Sequence, residues 1–183
     1  GYLSNFTISP DGNNVVFFGA SSEANIRNYD LKSGRPLWKA NHTKDNISSA
    51  VISPDGELIV TAVSNENTIE VHQVGTGKRL YSLEGNPGSG GHLTFSQDGT
   101  RIIAGNYNGT MAIWDTASGK LLASTIMSRS GEWATITPEG FFVASENGAN
   151  LLHVTRGMET VGIDQVYDAL YRPDLVKEAL AGD

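Results

Sequence analysis

Apolar residues along this chain fall in short runs, and each run ends in a cluster of turn-forming residues. The clearest stretch is Arg101-Ile102-Ile103-Ala104-Gly105, then Asn106-Tyr107-Asn108-Gly109, then Thr110-Met111-Ala112-Ile113-Trp114-Asp115. It closes with Ala117-Ser118-Gly119-Lys120 and Leu121-Leu122-Ala123-Ser124. This order predicts strands joined by hairpin turns, with glycine where a tight antiparallel turn calls for positive φ. In Val15-Val16-Phe17-Phe18, Leu58-Ile59-Val60 and Ile102-Ile103-Ala104 the apolar run is nearly continuous, as expected of strands covered on both faces.

The pattern repeats. Ser9-Pro10-Asp11-Gly12, Ser53-Pro54-Asp55-Gly56, Ser96-Gln97-Asp98-Gly99 and Thr137-Pro138-Glu139-Gly140 start 44, 43 and 41 residues apart. A second marker, Ser33-Gly34, Thr76-Gly77 and Ser118-Gly119, keeps the same register, with its glycines 43 and 42 residues apart. A period of this length built only of strands and turns marks propeller blades, each a four-stranded sheet that needs neighbours to bury its faces. The expected fold is all-β: a β-propeller of about four antiparallel four-stranded blades in a partial ring, with a short helical tail. The expected blades are 1–40, 41–84, 85–126 and 127–163, followed by the tail over 164–183. Asp11, Gly12, Asp55, Gly56, Asp98, Gly99, Trp114, Asp115 and Gly140 form the structural signature of the repeat.

The fourth unit departs from the others. It lacks a final Ser-Gly hairpin and passes into a segment whose apolar positions 166, 167, 170 and 171 read as one short amphipathic helix, and 175, 176, 179 and 180 as another. Pro173, favourable at a first helical position and poor inside a helix, marks the break between them.

With Trp114-Asp115 as its signature dipeptide, the pattern resembles a WD-repeat β-propeller. Tyr29-Asp30 and His72-Gln73 occupy the same slot in the other units, while Asn41-His42 and Gly85-Asn86 stand near the family's Gly-His position. The last 50 or so residues, with Gly131-Glu132-Trp133-Ala134-Thr135-Ile136-Thr137-Pro138-Glu139-Gly140-Phe141-Phe142 and then Leu170-Tyr171-Arg172-Pro173-Asp174-Leu175-Val176, are similar to the end of the propeller in large bacterial WD40-repeat proteins. Some of those are fused to a caspase-like peptidase domain. The resemblance implies domain context rather than chemistry: a caspase-like dyad needs a cysteine, and this chain has none.

Composition narrows the partners. A formal charge of −7 with no basic stripe argues against nucleic acid and anionic membrane. No run approaches the length of apolar sequence needed to span a bilayer. Zero cysteine removes disulfides and thiolate metal sites, and leaves the compartment open between cytosol and periplasm, with the cytoplasm the one favoured. The chain starts almost inside a strand, as a piece of a longer protein does.

No catalytic, cofactor or metal site is expected. His42, His72, His92 and His153 fall in different units without a Gly-X-Ser-X-Gly elbow, and His72 aligns with Trp114 as a packing residue. The cluster Gly85-Asn86-Pro87-Gly88-Ser89-Gly90-Gly91 lacks the Gly-Lys-Ser/Thr ending of a phosphate loop and reads as a flexible link between blades. The aspartates recur because the turns need them.

What remains is protein binding at the turns joining second and third strands. The candidates there are Glu23, Glu66, Tyr107 and Asn108, with Tyr107 the best anchor because exposed aromatics supply much of interface energy. Four such blades leave two sheet faces uncovered. The chain is therefore expected to be either the C-terminal half of a longer propeller or a half-propeller that self-associates. A ligand sensor or hydrolase using an axial pocket, or the regulatory arm of a caspase-like peptidase, is the alternative.

Overall fold

A computed structural model describes residues 2–20, 25–41, 46–63, 67–89, 91–156 and 159–182. Sheet one holds β1 (Tyr2–Ile8), β2 (Asn14–Ala20), β3 (Ile26–Asp30) and β4 (Pro36–Ala40) in sequence order, all antiparallel. Sheet two repeats this with β5 (Ile47–Ile52), β6 (Leu58–Val63), β7 (Ile69–Gln73) and β8 (Arg79–Leu83). Sheet three begins in the same way with β9 (His92–Phe95), β10 (Arg101–Gly105), β11 (Thr110–Asp115) and β12 (Leu121–Met127). The chain is thus a mostly β arc of antiparallel blades, as the repeat predicts.

Each blade opens on the same turn. Ser9 Oγ donates to Asp11 Oδ1 at 2.5 Å, and the same carboxylate oxygen accepts the Asn13 N–H at 3.0 Å. Ser53 with Asp55 and Ser96 with Asp98 reproduce this at 2.5 and 2.6 Å. In all three the serine Oγ also accepts the N–H of the residue five positions on, at 2.9 Å. The serine and aspartate therefore satisfy backbone groups that the hairpin leaves unpaired, which is why the motif is Ser-x-Asp-Gly rather than any polar tetrad.

The fourth unit does not build a separate sheet. Its strands β13 (Trp133–Ile136) and β14 (Phe142–Ala144) pair in turn onto β12, so sheet three has six strands in the order β14-β13-β12-β11-β10-β9. This corrects the blade expected over 127–163, and the connection explains it. Residues 128–132 close a compact hairpin, with Ser128 N–H donating to Glu132 O at 2.8 Å and Glu132 N–H to Ser128 Oγ at 3.1 Å. The longer segment 84–91 instead lets the chain leave sheet two and start sheet three. The fourth turn is also shorter: Thr137 N–H reaches Phe141 O at 2.9 Å, four residues on, where Ser9 pairs with Asn14.

A separate hairpin follows, β15 (His153–Arg156) with β16 (Glu159–Gly162). Then come helices α1 (Tyr167–Leu170) and α2 (Pro173–Ala181), with Pro173 in the first turn of α2 as its sequence position predicts. Among the described residues, no helix is long and apolar enough to cross a membrane.

The core lies in the two seams between sheets. Val16, Phe18 and Ile26 of sheet one meet Ile47, Ile52, Ile59 and Val74 of sheet two. Val60, Ile69, Val71 and Leu83 of sheet two meet Leu93, Ile102, Ala104 and Trp114 of sheet three. Sheet two is thus covered on both faces, which accounts for the unbroken apolar run in β6. His72 is fully buried, with its Nε2 3.2 Å from Thr61 Oγ1, and serves packing as its alignment with Trp114 predicts.

The tail closes the far end. Phe142, fully buried, meets Tyr167 and Tyr171 edge-on with ring centroids 5.4 and 5.5 Å away, and those two tyrosines stack at 4.9 Å. Arg172 N–H donates to Phe142 O at 3.0 Å, and α2 packs on β12 and β14. Arg101, on β10, ties the end of α2 down: its Nε donates to Leu180 O at 3.3 Å and its Nη2 to Ala181 O at 2.5 Å, while Nη1 pairs with Asp115 at 3.1 Å.

Candidate functional site

Tyr107 occupies the Asn106–Gly109 turn between β10 and β11 and is 76% exposed, the most exposed large apolar side chain among the described residues. The turn beneath it is stiff. Asn108 Oδ1 accepts from Thr110 N and Oγ1 at 3.2 and 2.7 Å, and Asn108 Nδ2 donates to Pro87 O at 3.0 Å. Asn106 Nδ2 donates to Asn86 Oδ1 at 2.9 Å. The glycine-rich segment expected to be a flexible link is therefore hydrogen-bonded across the turn. Its glycines answer to close packing, since a Cβ on Gly88 would stand 2.6 Å from the Asn106 side chain and one on Gly91 would collide with the Gly105 carbonyl. Asn108 spends its amide on this architecture, and Tyr107 is left to face outward.

Two further apolar side chains stand at the same end of sheet three. Met127 N–H donates to Gly109 O at 3.1 Å, which places the end of β12 beside the turn that carries Tyr107. Met127 in turn opposes Trp133 across the β12–β13 ladder, and the two are 54% and 37% exposed. Glu132, next to Trp133, binds Ser145 Oγ, Asn147 N and Asn147 Nδ2, and these bonds, led by Ser145, hold its carboxyl below the ordinary glutamate range. Trp133 and Met127 are missed by reading turns alone. Their signal lies in the β12–β13 pairing, which the sequence repeat hides. Glu23 and Glu66, the other candidate contacts, and His42 lie outside the described residues.

The repeat-signature residues are structural. Trp114 is fully buried, and its Nε1 donates to Glu84 O at 2.8 Å. Asp115 Oδ1 accepts from Ser118 Oγ and N at 2.6 and 2.8 Å, and Asp30 holds Ser33 in the same way at 2.5 and 2.7 Å. Hydrogen bonding by the turn serine, then by backbone N–H, keeps Asp11, Asp30, Asp55 and Asp115 ionised below the usual aspartate range, and takes Asp98 down to about 2.

A cavity of about 760 Å³ lies where sheets two and three meet the tail, lined in part by Tyr81, Asp98, Arg101, Asp115 and Gly182. Its charged groups are already committed: Asp98 to Ser96 and Thr100, Asp115 to Ser118 and Arg101, and Arg101 to the helix carbonyls. Among the described residues, no group of three His, Cys, Asp or Glu side chains stands close enough to hold a metal ion.

Three antiparallel sheets stacked side by side, with aspartate-held turns and a buried Trp ahead of one of them, define an arc of a repeat propeller. The family model "WD domain, G-beta repeat" matches residues 34–73 and 77–115, so these two stretches are WD40-type repeats. It is 27% identical over 143 residues to an uncharacterized WD repeat-containing protein, sll1491, of Synechocystis sp.. That match covers 76% of this chain and 40% of the relative, so the chain spans well under two thirds of the relative's length. Among solved structures, the WD40 repeats of RRP9 match 79% of this chain and 52% of theirs, with a TM-score of 0.58 at 15% identity. The hydrazine synthase of Kuenenia stuttgartiensis matches 78% of this chain and 46% of its own, also with a TM-score of 0.58, at 14% identity. At such identities these likenesses concern the fold alone.

Proposed function

We propose that this chain is a non-enzymatic protein-interaction scaffold, the C-terminal part of a bacterial WD40-repeat propeller, and that it binds through the loop end of sheet three. The observation that carries the reading is the cluster of Tyr107, Met127 and Trp133, three exposed apolar side chains on one end of one sheet above a hydrogen-bonded base. An aromatic pair on a stiff support loses little conformational freedom on binding, which is what makes such residues energetic anchors. WD40 domains generally bind proteins, which supports the reading from the side of the fold.

The test is a double variant, Tyr107→Ala with Trp133→Ala. Partners captured by the parent chain are purified and titrated against both forms, with thermal unfolding followed in parallel. The expected result is an affinity at least about tenfold weaker with little change in Tm. Equal affinity for both forms would remove the loop end as the contact surface. A half-propeller that self-associates is the competing assembly, favoured by the exposure of Phe6 and Ile8 on sheet one at 61% and 47%. It predicts a solution mass near twice 19.5 kDa.

A further inference from the structure

Two Asn-Gly pairs occur in this chain, Asn108-Gly109 and Asn147-Gly148, and both lie at the loop end of sheet three. Asparagine ahead of glycine is prone to modify itself, because glycine has no side chain to keep its backbone nitrogen away from the asparagine amide carbon. The fold treats the two pairs differently. Gly148 is buried, and the space around it is filled: an added Cβ would stand 1.9 Å from the Trp133 carbonyl oxygen and 2.6 Å from Ser145 Oγ. Its N–H donates to Ser145 O at 2.9 Å, and Asn147 is tied to the Glu132 carboxylate through both its backbone N–H and its Nδ2, each at 3.2 Å. Bringing the Gly148 nitrogen onto Asn147 Cγ would break these bonds inside a packed corner.

Asn108 and Gly109 are both exposed, and the Gly109 N–H is on a long bond, 3.2 Å to Asn106 O. Asn108 Oδ1 accepts from the Thr110 N–H and hydroxyl at 3.2 and 2.7 Å. Donors on that oxygen draw charge from Cγ and stabilise the oxyanion that forms when a nitrogen adds to it. Asp11, Asp55 and Asp98 also precede glycines, but their carboxylates are held ionised by hydrogen bonds and offer no leaving group. Asn108 is therefore the position where sequence and turn geometry agree.

We propose that Asn108 is a site of spontaneous deamidation, and that its conversion loosens the joint between sheets two and three. The Gly109 nitrogen forms a bond to Asn108 Cγ and gives up its proton, the Cγ–Nδ2 bond breaks, and ammonia leaves with that proton. One water then opens the cyclic imide at either carbonyl, to aspartate or to isoaspartate. Water is the one co-reactant. The product matters because of what the amide held. Asn108 Nδ2 donates to Pro87 O at 3.0 Å, within the segment 84–91 that carries the chain from sheet two to sheet three, and an acid at 108 sets a negative oxygen against that carbonyl. Gly88 has no room to yield, since a Cβ there would stand 2.6 Å from the Asn106 side chain and 2.7 Å from Asn108 Oδ1. Isoaspartate, which adds a carbon to the main chain of the turn, fits worse still. The proposal stands whether or not Tyr107 anchors a partner, because it is read from mass and amide exchange.

Ageing the folded chain in mildly alkaline buffer, followed by tryptic mass mapping, tests it. The two pairs fall in separate tryptic peptides, 102–120 and 130–156. Asn108 should convert at least about tenfold faster than Asn147 in the folded chain, a difference in barrier that the fold supplies. In urea, where the fold no longer separates them, the two should convert at similar rates. The aged chain should show faster amide exchange over 84–91, and freshly made Asn108→Asp should show the same. An Asn108 that survives intact while the urea-unfolded chain converts overturns the proposal, and so does an Asn147 that keeps pace with Asn108 in the folded chain. Conversion that leaves amide exchange over 84–91 unchanged also overturns it, because the joint would then not depend on the amide.

Discussion

Phe6 and Phe142 stand at opposite ends of the arc in opposite surroundings. Phe6 is 61% exposed on the outer face of sheet one, while Phe142 is fully buried against two stacked tyrosines of the tail. Both ends face the same physical problem, since a blade has two apolar faces and the last blade of any open array has only one neighbour. The C-terminal end answers it from within the chain, by two extra strands, an aromatic trio and a helix tied to Arg101. The N-terminal end keeps the face that a blade presents to its neighbour. The lesson is that an irregular repeat can cover its own outer face from within the chain, whereas a regular one leaves that face bare.

The comparison can be broken most directly at the covered end. Phe142→Ala should cost about 3–5 kcal/mol, because it removes a fully buried ring and leaves a cavity beside the stacked tyrosine pair. Limited trypsin digestion should then cut at Lys177 first. An intact tail under those conditions would show that the trio does not hold it. Arg101→Met keeps the stem and removes the guanidinium from Leu180 O, Ala181 O and Asp115, at a cost of about 1.5–3 kcal/mol. Amide exchange should rise in α2 and leave sheet one unchanged. At the uncovered end, Phe6→Ala should change stability by less than about 0.5 kcal/mol in this chain, as measured by urea unfolding. A larger loss would mean that Phe6 is covered in solution.

Strands β2, β3, β4, β6 and β8 could be placed from the sequence almost to the residue, because a Ser-Pro-Asp-Gly turn and a Ser/Thr-Gly turn punctuate the first and third hairpins of units one and two and leave little freedom in register. The fourth unit could not. Its Thr137-Pro138-Glu139-Gly140 turn looks like the others, but it closes one residue sooner, and Thr137 Oγ1 is buried without a hydrogen-bond partner where the serines of the other turns donate to their aspartates. Nothing local distinguishes a strand that starts a new blade from one that extends the old. That choice is made by the hairpin at 128–132. The candidate surface was legible in part: Tyr107 follows from its turn, whereas Met127 and Trp133 depend on that same unforeseen pairing. The seam aromatics Trp38, whose Nε1 donates to Val74 O, and Tyr81, whose hydroxyl donates to Thr116 O, left a readable trace, 43 residues apart and each four after a turn glycine, but a lone aromatic on an outer strand does not announce what it touches.

The reach of the Arg101 contact has a consequence for how the chain is made. The seam bonds join residues 36, 35 and 30 positions apart, so each blade can settle onto its predecessor as soon as the next few turns leave the ribosome. Arg101 waits for a partner 79 residues downstream. Docking of the tail therefore comes later in synthesis than the closing of either seam, and a nascent chain stalled before Leu180 would display sheet three without its helix and its arginine paired only within the sheet.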